Sequence, residues 1–217
     1  MTPVNRIQQN LLAASERRLL NWLCARMPAW ATPDMLTGIG FVGSIATFAG
    51  YALSSFHLAW LWVAIAGYFI NWFGDSLDGS LARYRKIERP AFGYFVDHSI
   101  DSFSNMIIVI GLGLSPFIRL DTALFGLAGY LLLSIHTFLA ARVTDEFKLT
   151  YLAGGPTEMR LILIAMTVAM FIMEPGPALI MGQSLFDLFI GGLGVILIVL
   201  FIVQTIVTAR RLSHLQK

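Results

Sequence analysis

Six apolar stretches, at about residues 36–54, 58–83, 92–114, 123–141, 157–174 and 185–207, fill most of a 217-residue chain. Each is close to the length that a helix rising about 1.5 Å per residue needs to cross a hydrocarbon layer of about 30 Å. With 57% hydrophobic and only 13% charged residues, and a mean hydropathy of +0.72, the chain holds more apolar surface than one soluble core of this size can hide. The expected fold class is all-α integral membrane, with six transmembrane helices in a single domain over residues 1–217.

Residues 5–27 read differently, because Leu11, Leu12, Leu19, Leu20, Trp22 and Leu23 alternate there with polar and basic positions. That pattern predicts an interfacial amphipathic helix within residues 1–30, lying on the bilayer rather than crossing it. It lacks the apolar run and small-residue cleavage site of a signal peptide, so it is expected to stay in the mature protein. Pro33 and Asp34 then start the first span.

An even number of spans returns both termini to one side. Of the 15 Lys and Arg, 14 fall before the first span, between spans two and three, between spans four and five, or in the tail; Arg119 alone falls opposite. The positive-inside rule places the termini and the loop around Arg83, Arg85, Lys86 and Arg89 in the cytoplasm, in a bacterial inner membrane. This basic face suits anionic head groups and phosphorylated substrates, and nothing points to nucleic acid. A lone Cys24 excludes an internal disulfide and any CxxC motif, while His57, His98, His136 and His214 are too scattered to suggest a histidine metal cluster. Any metal must be held mainly by oxygen.

The chemistry lies between residues 75 and 101, DSLDGSLARYRKIERPAFGYFVDHSID. Asp75, Asp78, Gly79, Ala82 and Arg83 stand at i, i+3, i+4, i+7 and i+8, one stripe of a helix, which Asn71 extends by a turn. After Pro90, the residues Gly93, Asp97, Asp101 and Asn105 form a second stripe at intervals of four. If the two stripes face each other, four carboxylates converge, and such a cluster requires protons or cations. Magnesium or manganese is the natural occupant, since hard cations prefer oxygen and commonly bind phosphate as well. Two ions bridging a diphosphate would follow the two-metal pattern of phosphoryl transfer. Gly79 and Ala82 would let a ligand lie against the helix backbone, and Arg83 offers a fork to a phosphate.

The combined pattern resembles the signature of the CDP-alcohol phosphotransferases (CDP-alcohol phosphatidyltransferases). In this sequence it runs Asp75, two residues, Asp78-Gly79, two residues, Ala82-Arg83, nine residues, Gly93, three residues, Asp97, three residues, Asp101. The segment TPDMLTGIG is similar to the start of span one in many members, with Asp34 where Asn is common. The resemblance implies a Mg²⁺- or Mn²⁺-dependent phospholipid-synthesising enzyme that moves a substituted phosphate from a CDP-linked donor to an alcohol acceptor and releases CMP. It further implies Asp75, Asp78 and Asp97 as metal ligands, and Asp101 as a ligand or the base for the acceptor hydroxyl. Asp78, Gly79, Ala82, Arg83 and Gly93 would receive the cytidine diphosphate, and a homodimer is the implied assembly. Asp97-His98 resembles the pair in choline and ethanolamine phosphotransferases, which gives His98 a place in proton transfer. Adjacent helical residues point about 100° apart, however, so His98 can equally face a neighbouring helix.

Other positions carry two readings. Arg142 and Arg160 could build a pocket for an anionic acceptor or donor group, or simply follow topology. Arg85, Lys86 and Arg89 read as lipid-head-group contacts, His136 as a hydrogen bond across helices, and Thr157 as a cap for span five. Gly38, Gly40, Gly43 and Gly50, with Gly191, Gly192 and Gly194, read as close helix packing. Within the enzyme class, CDP-diacylglycerol with a small polar acceptor fits the short chain, and a CDP-linked head group with a lipid hydroxyl is hinted at by Asp97-His98. A divalent-cation transporter is the reading from another class. It should line the full membrane depth with polar residues, whereas the acids here crowd into the cytoplasmic third.

Overall fold

Among the described residues, seven helices follow one another in the order the apolar pattern requires. They are α1 (Ala13–Cys24), α2 (Pro33–Leu53), α3 (Trp60–Arg85), α4 (Pro90–Gly113), α5 (Leu120–Thr144), α6 (Pro156–Met173) and α7 (Leu185–Leu215). The computed structural model describes residues 5–7, 13–144, 146–148, 156–173, 175 and 182–215. The all-helical architecture has one addition that no sequence pattern announced: β1 (Asn5–Ile7) pairs in parallel with β2 (Glu146–Lys148). The surface helix is also shorter than expected, beginning at Ala13, and α7 continues eight residues past the expected end of the last apolar stretch. Gly154 and Gly155, just before α6, lie outside the described residues.

Pro33–Leu53, Leu120–Val143 and Leu185–His214 are long and apolar enough to cross a membrane by length and composition. Helices α3 and α4, at 26 and 24 residues, have the length, but the acidic and amide side chains of the site interrupt their apolar character. Much of the outward surface is apolar, as Val195, Val199, Ile202 and Val207 along α7 show. This chain is an integral membrane protein of the all-α class.

Glycine sets the tightest helix contact, between α2 and α3. A methyl group at Gly50 would come within 2.7 Å of the Ala64 Cα, one at Gly43 within 2.8 Å of the Asn71 Cα, and one at Gly74 within 2.5 Å of the Gly40 Cα. The expected packing role therefore holds for Gly40, Gly43 and Gly50, and for Gly194, whose methyl would meet the Phe125 ring at 2.9 Å. It fails for Gly38 and Gly192, which have no atom within 4 Å of such a methyl, and Gly191 makes only an ordinary contact.

Helix α2 starts as its sequence suggests, with the Thr32 hydroxyl accepting from the Met35 N–H at 3.2 Å and Pro33 in the first turn. Helix α3 ends on Lys86 in the left-handed conformation, φ 58°, with Ile87 N–H donating to Ala82 at 3.0 Å and Lys86 N–H to Arg83 at 3.1 Å. This is the Schellman closure, built here without glycine. Arg85 corrects the lipid-contact reading. Arg85 donates to the carbonyls of Met27 (3.1 Å), Pro28 (2.8 Å) and Ala31 (2.5 Å), clamping the linker between α1 and α2, and Arg89 is ion-paired with Asp34.

Two apolar clusters flank the polar centre. Tyr51, Leu61, Tyr68, Leu112, Met170 and Phe186 belong to one, joining α2, α3, α4, α6 and α7. Leu20 and Cys24 of α1 pack on Leu36, Leu77 and Leu81 in the other, which fixes the surface helix over α2 and α3. His136 meets Thr205 across α5 and α7 at 3.3 Å, as read from the sequence.

Candidate active site

The close approach of α2 and α3 brings Thr37 to Asp78, and its hydroxyl donates to Asp78 Oδ2 at 2.6 Å. The other Asp78 oxygen accepts from the Gly79 N–H, and the residue is only 8% exposed. Two turns deeper, Asn71 donates to the Gly40 carbonyl at 3.1 Å and to Ser44 at 2.9 Å, and so fastens α3 to α2 again. Its carbonyl oxygen accepts from Arg160 Nε at 3.0 Å. Arg160 is also ion-paired with Asp75, both side chains being largely buried. A guanidinium from α6 is thus anchored on the α3 stripe.

Helix α4 supplies the rest. Asp97 and Asp101 line one narrow cavity together with Asp75, Asp78, Thr37, Asn71 and Ser104. The Asp101 carboxyl contacts that of Asp75 and feels the charges of Asp97 and Arg160. The two stripes therefore face each other, and the four carboxylates drawn from the spacing line one cavity. Arg160 offsets only part of their charge, and the Ser104 hydroxyl, 3% exposed, has no hydrogen-bond partner among the described residues. A cavity lined by oxygen donors, with excess negative charge and an unsatisfied hydroxyl, fits a hard divalent cation or a water bound to one.

The remaining positions lie around this centre. Gly79 lies under the Arg83 guanidinium, 3.3 Å from the position its Cβ would take, and Arg83 also donates to Ser80 at 3.3 Å. Gly93 opens the exposed start of α4, with no atom within 4 Å of an added methyl. Ala82 is half-buried on the same α3 face. Arg83, Gly93 and Arg142 do not line the cavity, and Arg142 is exposed in the last turn of α5. His98 lies beside the cluster, its Nδ1 3.4 Å from Asp97 Oδ2, with its ring stacked on Phe138 at 5.1 Å and edge-on to Tyr94 at 4.3 Å.

Residues 30–210 match the family model described as CDP-alcohol phosphatidyltransferase. The chain belongs to that family. This CDP-alcohol phosphatidyltransferase family member is 33% identical over 134 residues to an archaetidylinositol phosphate synthase of Methanothermobacter thermautotrophicus, covering 62% of this chain and 65% of the relative. It is 38% identical over 93 residues to a phosphatidylinositol phosphate synthase of Cutibacterium acnes, 42% of this chain and 41% of that one. A cholinephosphotransferase 1 of Danio rerio is 28% identical over 122 residues, 50% of this chain and 32% of its own. The chain thus spans less than two thirds of the length of these relatives.

Several contacts in and around this cavity escaped the motif. Thr37 lies within the quoted TPDMLTGIG segment but showed no sign of reaching Asp78, 41 positions away. Glu16, one acid in a basic surface helix, accepts from Trp72 Nε1 (2.9 Å) and Ser76 (3.4 Å) of α3 and from Thr157 (2.8 Å) of α6. Thr157, read as a cap, lies in the first turn of α6 and gives its hydroxyl proton to this contact. Tyr130 of α5 accepts from Asn105 at 2.9 Å and lies close to Asp101 and Arg160.

Proposed function

We propose that this chain transfers a substituted phosphate from a CDP-linked donor to the hydroxyl of an alcohol acceptor, releasing CMP, with CDP-diacylglycerol as the donor. The observation that carries this reading is the convergence of Asp75, Asp78, Asp97 and Asp101 on one cavity at the motif-bearing ends of α3 and α4. A diphosphate is repelled from four carboxylates unless cations lie between them, so the four acids are the holders of two Mg²⁺ or Mn²⁺ ions. Such ions, when bound, neutralise the diphosphate and the charge that develops on departing CMP.

The chain's own residues divide the remaining tasks. Thr37 fixes the Asp78 carboxylate, while Asn71 and Arg160 fix Asp75, so the acids meet the substrate in one geometry. Gly79 and Ala82 keep the α3 surface low for the cytidine diphosphate, Arg83 offers it a guanidinium, and the open Gly93 leaves it room. Asp101 accepts the proton of the acceptor hydroxyl, which then attacks phosphorus opposite the CMP oxygen. Arg142 and Arg160 serve an anionic group of acceptor or donor, and His98 orients Asp97. Helices α2 to α7 are the six spans of a bacterial inner membrane, the site and termini are cytoplasmic, the domain is single, and the working unit is a homodimer.

A second reading, a CDP-linked head group passed to a lipid hydroxyl, is favoured by the Asp97-His98 pair and by the cholinephosphotransferase relatives. CMP release by purified protein separates the two. The panel offers CDP-diacylglycerol with polar alcohols, inositol phosphate among them, and CDP-choline or CDP-ethanolamine with diacylglycerol. Release with CDP-diacylglycerol is expected. Release only with CDP-choline or CDP-ethanolamine would install the second reading, and release with no pair would refute both.

A further inference from the structure

Glu16 lies on the inward face of the surface helix. Glu16, Leu20 and Cys24 recur at intervals of four on α1, so one stripe of this helix turns toward α2 and α3, where Leu20 and Cys24 pack on Leu36, Leu77 and Leu81. Arg17 and Arg18, which follow Glu16 in sequence, are exposed. The apolar part of the stripe meets α2 and α3, whereas Glu16 also reaches α6. One carboxylate oxygen, Oε1, accepts from Trp72 Nε1 at 2.9 Å and the Ser76 hydroxyl at 3.4 Å on α3, and from the Thr157 hydroxyl at 2.8 Å in the first turn of α6. Trp72 and Ser76 directly follow Asn71 and Asp75, and Thr157 lies one turn before Arg160.

The far half of α6 is anchored in the core. Met166 and Met170 are buried in the larger apolar cluster, and Thr167 pairs with the Tyr51 hydroxyl at 2.6 Å. None of residues 157–165 is buried, and two polar contacts one turn apart tie this part of the helix to α3. Thr157 is tied through Glu16, and Arg160 through its Nε bond to Asn71 at 3.0 Å and its ion pair with Asp75. Arg160 lies six residues before Met166, about 9 Å of helix rise. A tilt of about 6° about that anchor would carry the guanidinium by roughly 1 Å, which takes the 3.0 Å bond to Asn71 out of range.

We propose that Glu16 is a positioning residue for the transferase site: from the surface helix it holds the first turn of α6 against α3, and so sets the Arg160 guanidinium where it meets Asp75 and Asn71. This rests on the role of Arg160 in the proposed function, serving an anionic group of acceptor or donor. Glu16 does not line the carboxylate cavity and acts on it only through the placement of its neighbours. Reach is what the role demands, because one oxygen must meet donors on two helices at once. Glutamine keeps that oxygen at the same distance from the backbone, and alanine removes it.

The test is a double-mutant cycle between Glu16 and Arg160 in the full-length protein in detergent. It is read both as CMP release, with the donor and acceptor panel above, and as melting temperature. Glu16→Ala should slow CMP release by at least roughly tenfold, and Thr157→Val should do much the same. Glu16→Gln, which retains the acceptor, should stay within about threefold of the wild type. In Arg160→Gln protein the further loss from Glu16→Ala should shrink to about twofold or less, and the melting shifts of the two single variants should sum to more than that of the double variant. A full rate in Glu16→Ala, or a loss that persists undiminished in Arg160→Gln, would overturn the proposal, since a clamp that only fastened α1 would act independently of Arg160. If Arg160→Gln turns over too slowly to assay, the melting shifts decide, and additive shifts would overturn it. No CMP from the wild type with any pair would refute the transferase reading instead, and the melting cycle would then judge the coupling of Glu16 to Arg160 by itself.

Discussion

The α2–α3 contact makes Gly74→Ala a severe test of how the site is positioned. The new methyl would lie 2.5 Å from the Gly40 Cα and also meet the Gly40 nitrogen and the Leu36 carbonyl, all of them backbone that cannot rotate away. An ordinary contact begins at 3.4 Å, so the helices must part locally by roughly 1 Å. Thr37 and Asp78 lie one turn away across the same interface, and parting of that size takes their 2.6 Å hydrogen bond to about 3.5 Å, beyond useful range. Overpacking of this kind costs about 1–3 kcal/mol, and a misplacement of about 1 Å at a reacting centre costs on the order of 10²-fold in rate. CMP release and thermal unfolding in detergent are the assays, with Gly38→Ala as control, since its methyl enters open space. Gly74→Ala should lose both activity and stability while Gly38→Ala keeps both. Wild-type rate and stability in Gly74→Ala would refute the claim that this interface positions Asp78.

Three further outcomes follow from other contacts. Arg160→Gln strips Asp75 of its cation while Asp101 stays beside it, so unfolding should become easier by about 3 kcal/mol, and added Mn²⁺ should restore more stability than it gives the wild type. Burial pushes the Cys24 thiol up from its ordinary value, and the side chain is 2% exposed, so a polar maleimide should label it slowly at pH 7; Glu16→Ala or Arg85→Ala, which release α1 or its linker, should speed labelling. Lys86→Gly relieves a left-handed residue and should raise stability by about 0.5–1 kcal/mol with unchanged CMP release, read from thermal melts of the two proteins.

What could be read from the sequence is what helical periodicity determines. Asp75, Asp78, Gly79, Ala82 and Arg83 recur with the period of one helix face, and Asp97 and Asp101 with that of the next, so two acidic stripes on consecutive helices could be inferred without coordinates. The apolar lengths marked α2 to α7 to within a few residues at most ends, the extension of α7 aside. Partnerships between distant segments could not be seen. Thr37 with Asp78, Arg160 with Asp75 and Glu16 with Thr157 are separated by 41, 85 and 141 positions, and nothing local to any one of these residues encodes its partner. Arg85 misled for a related reason. A basic residue at a cytoplasmic helix end satisfies the positive-inside rule whether it faces head groups or, as here, folds back onto the carbonyls before α2. The three-residue pairing of β1 with β2 is too short to leave a period.

The central claim is that four carboxylates on α3 and α4 form a metal-dependent transferase site rather than a path for cations. Purified protein in liposomes, assayed in parallel for CMP release from a CDP-linked donor and for divalent-cation flux, tests it most directly. The account predicts CMP release that requires Mg²⁺ or Mn²⁺, disappears in Asp97→Asn, and is accompanied by no flux. Cation flux with the donor left intact, abolished by the same substitution, would contradict it.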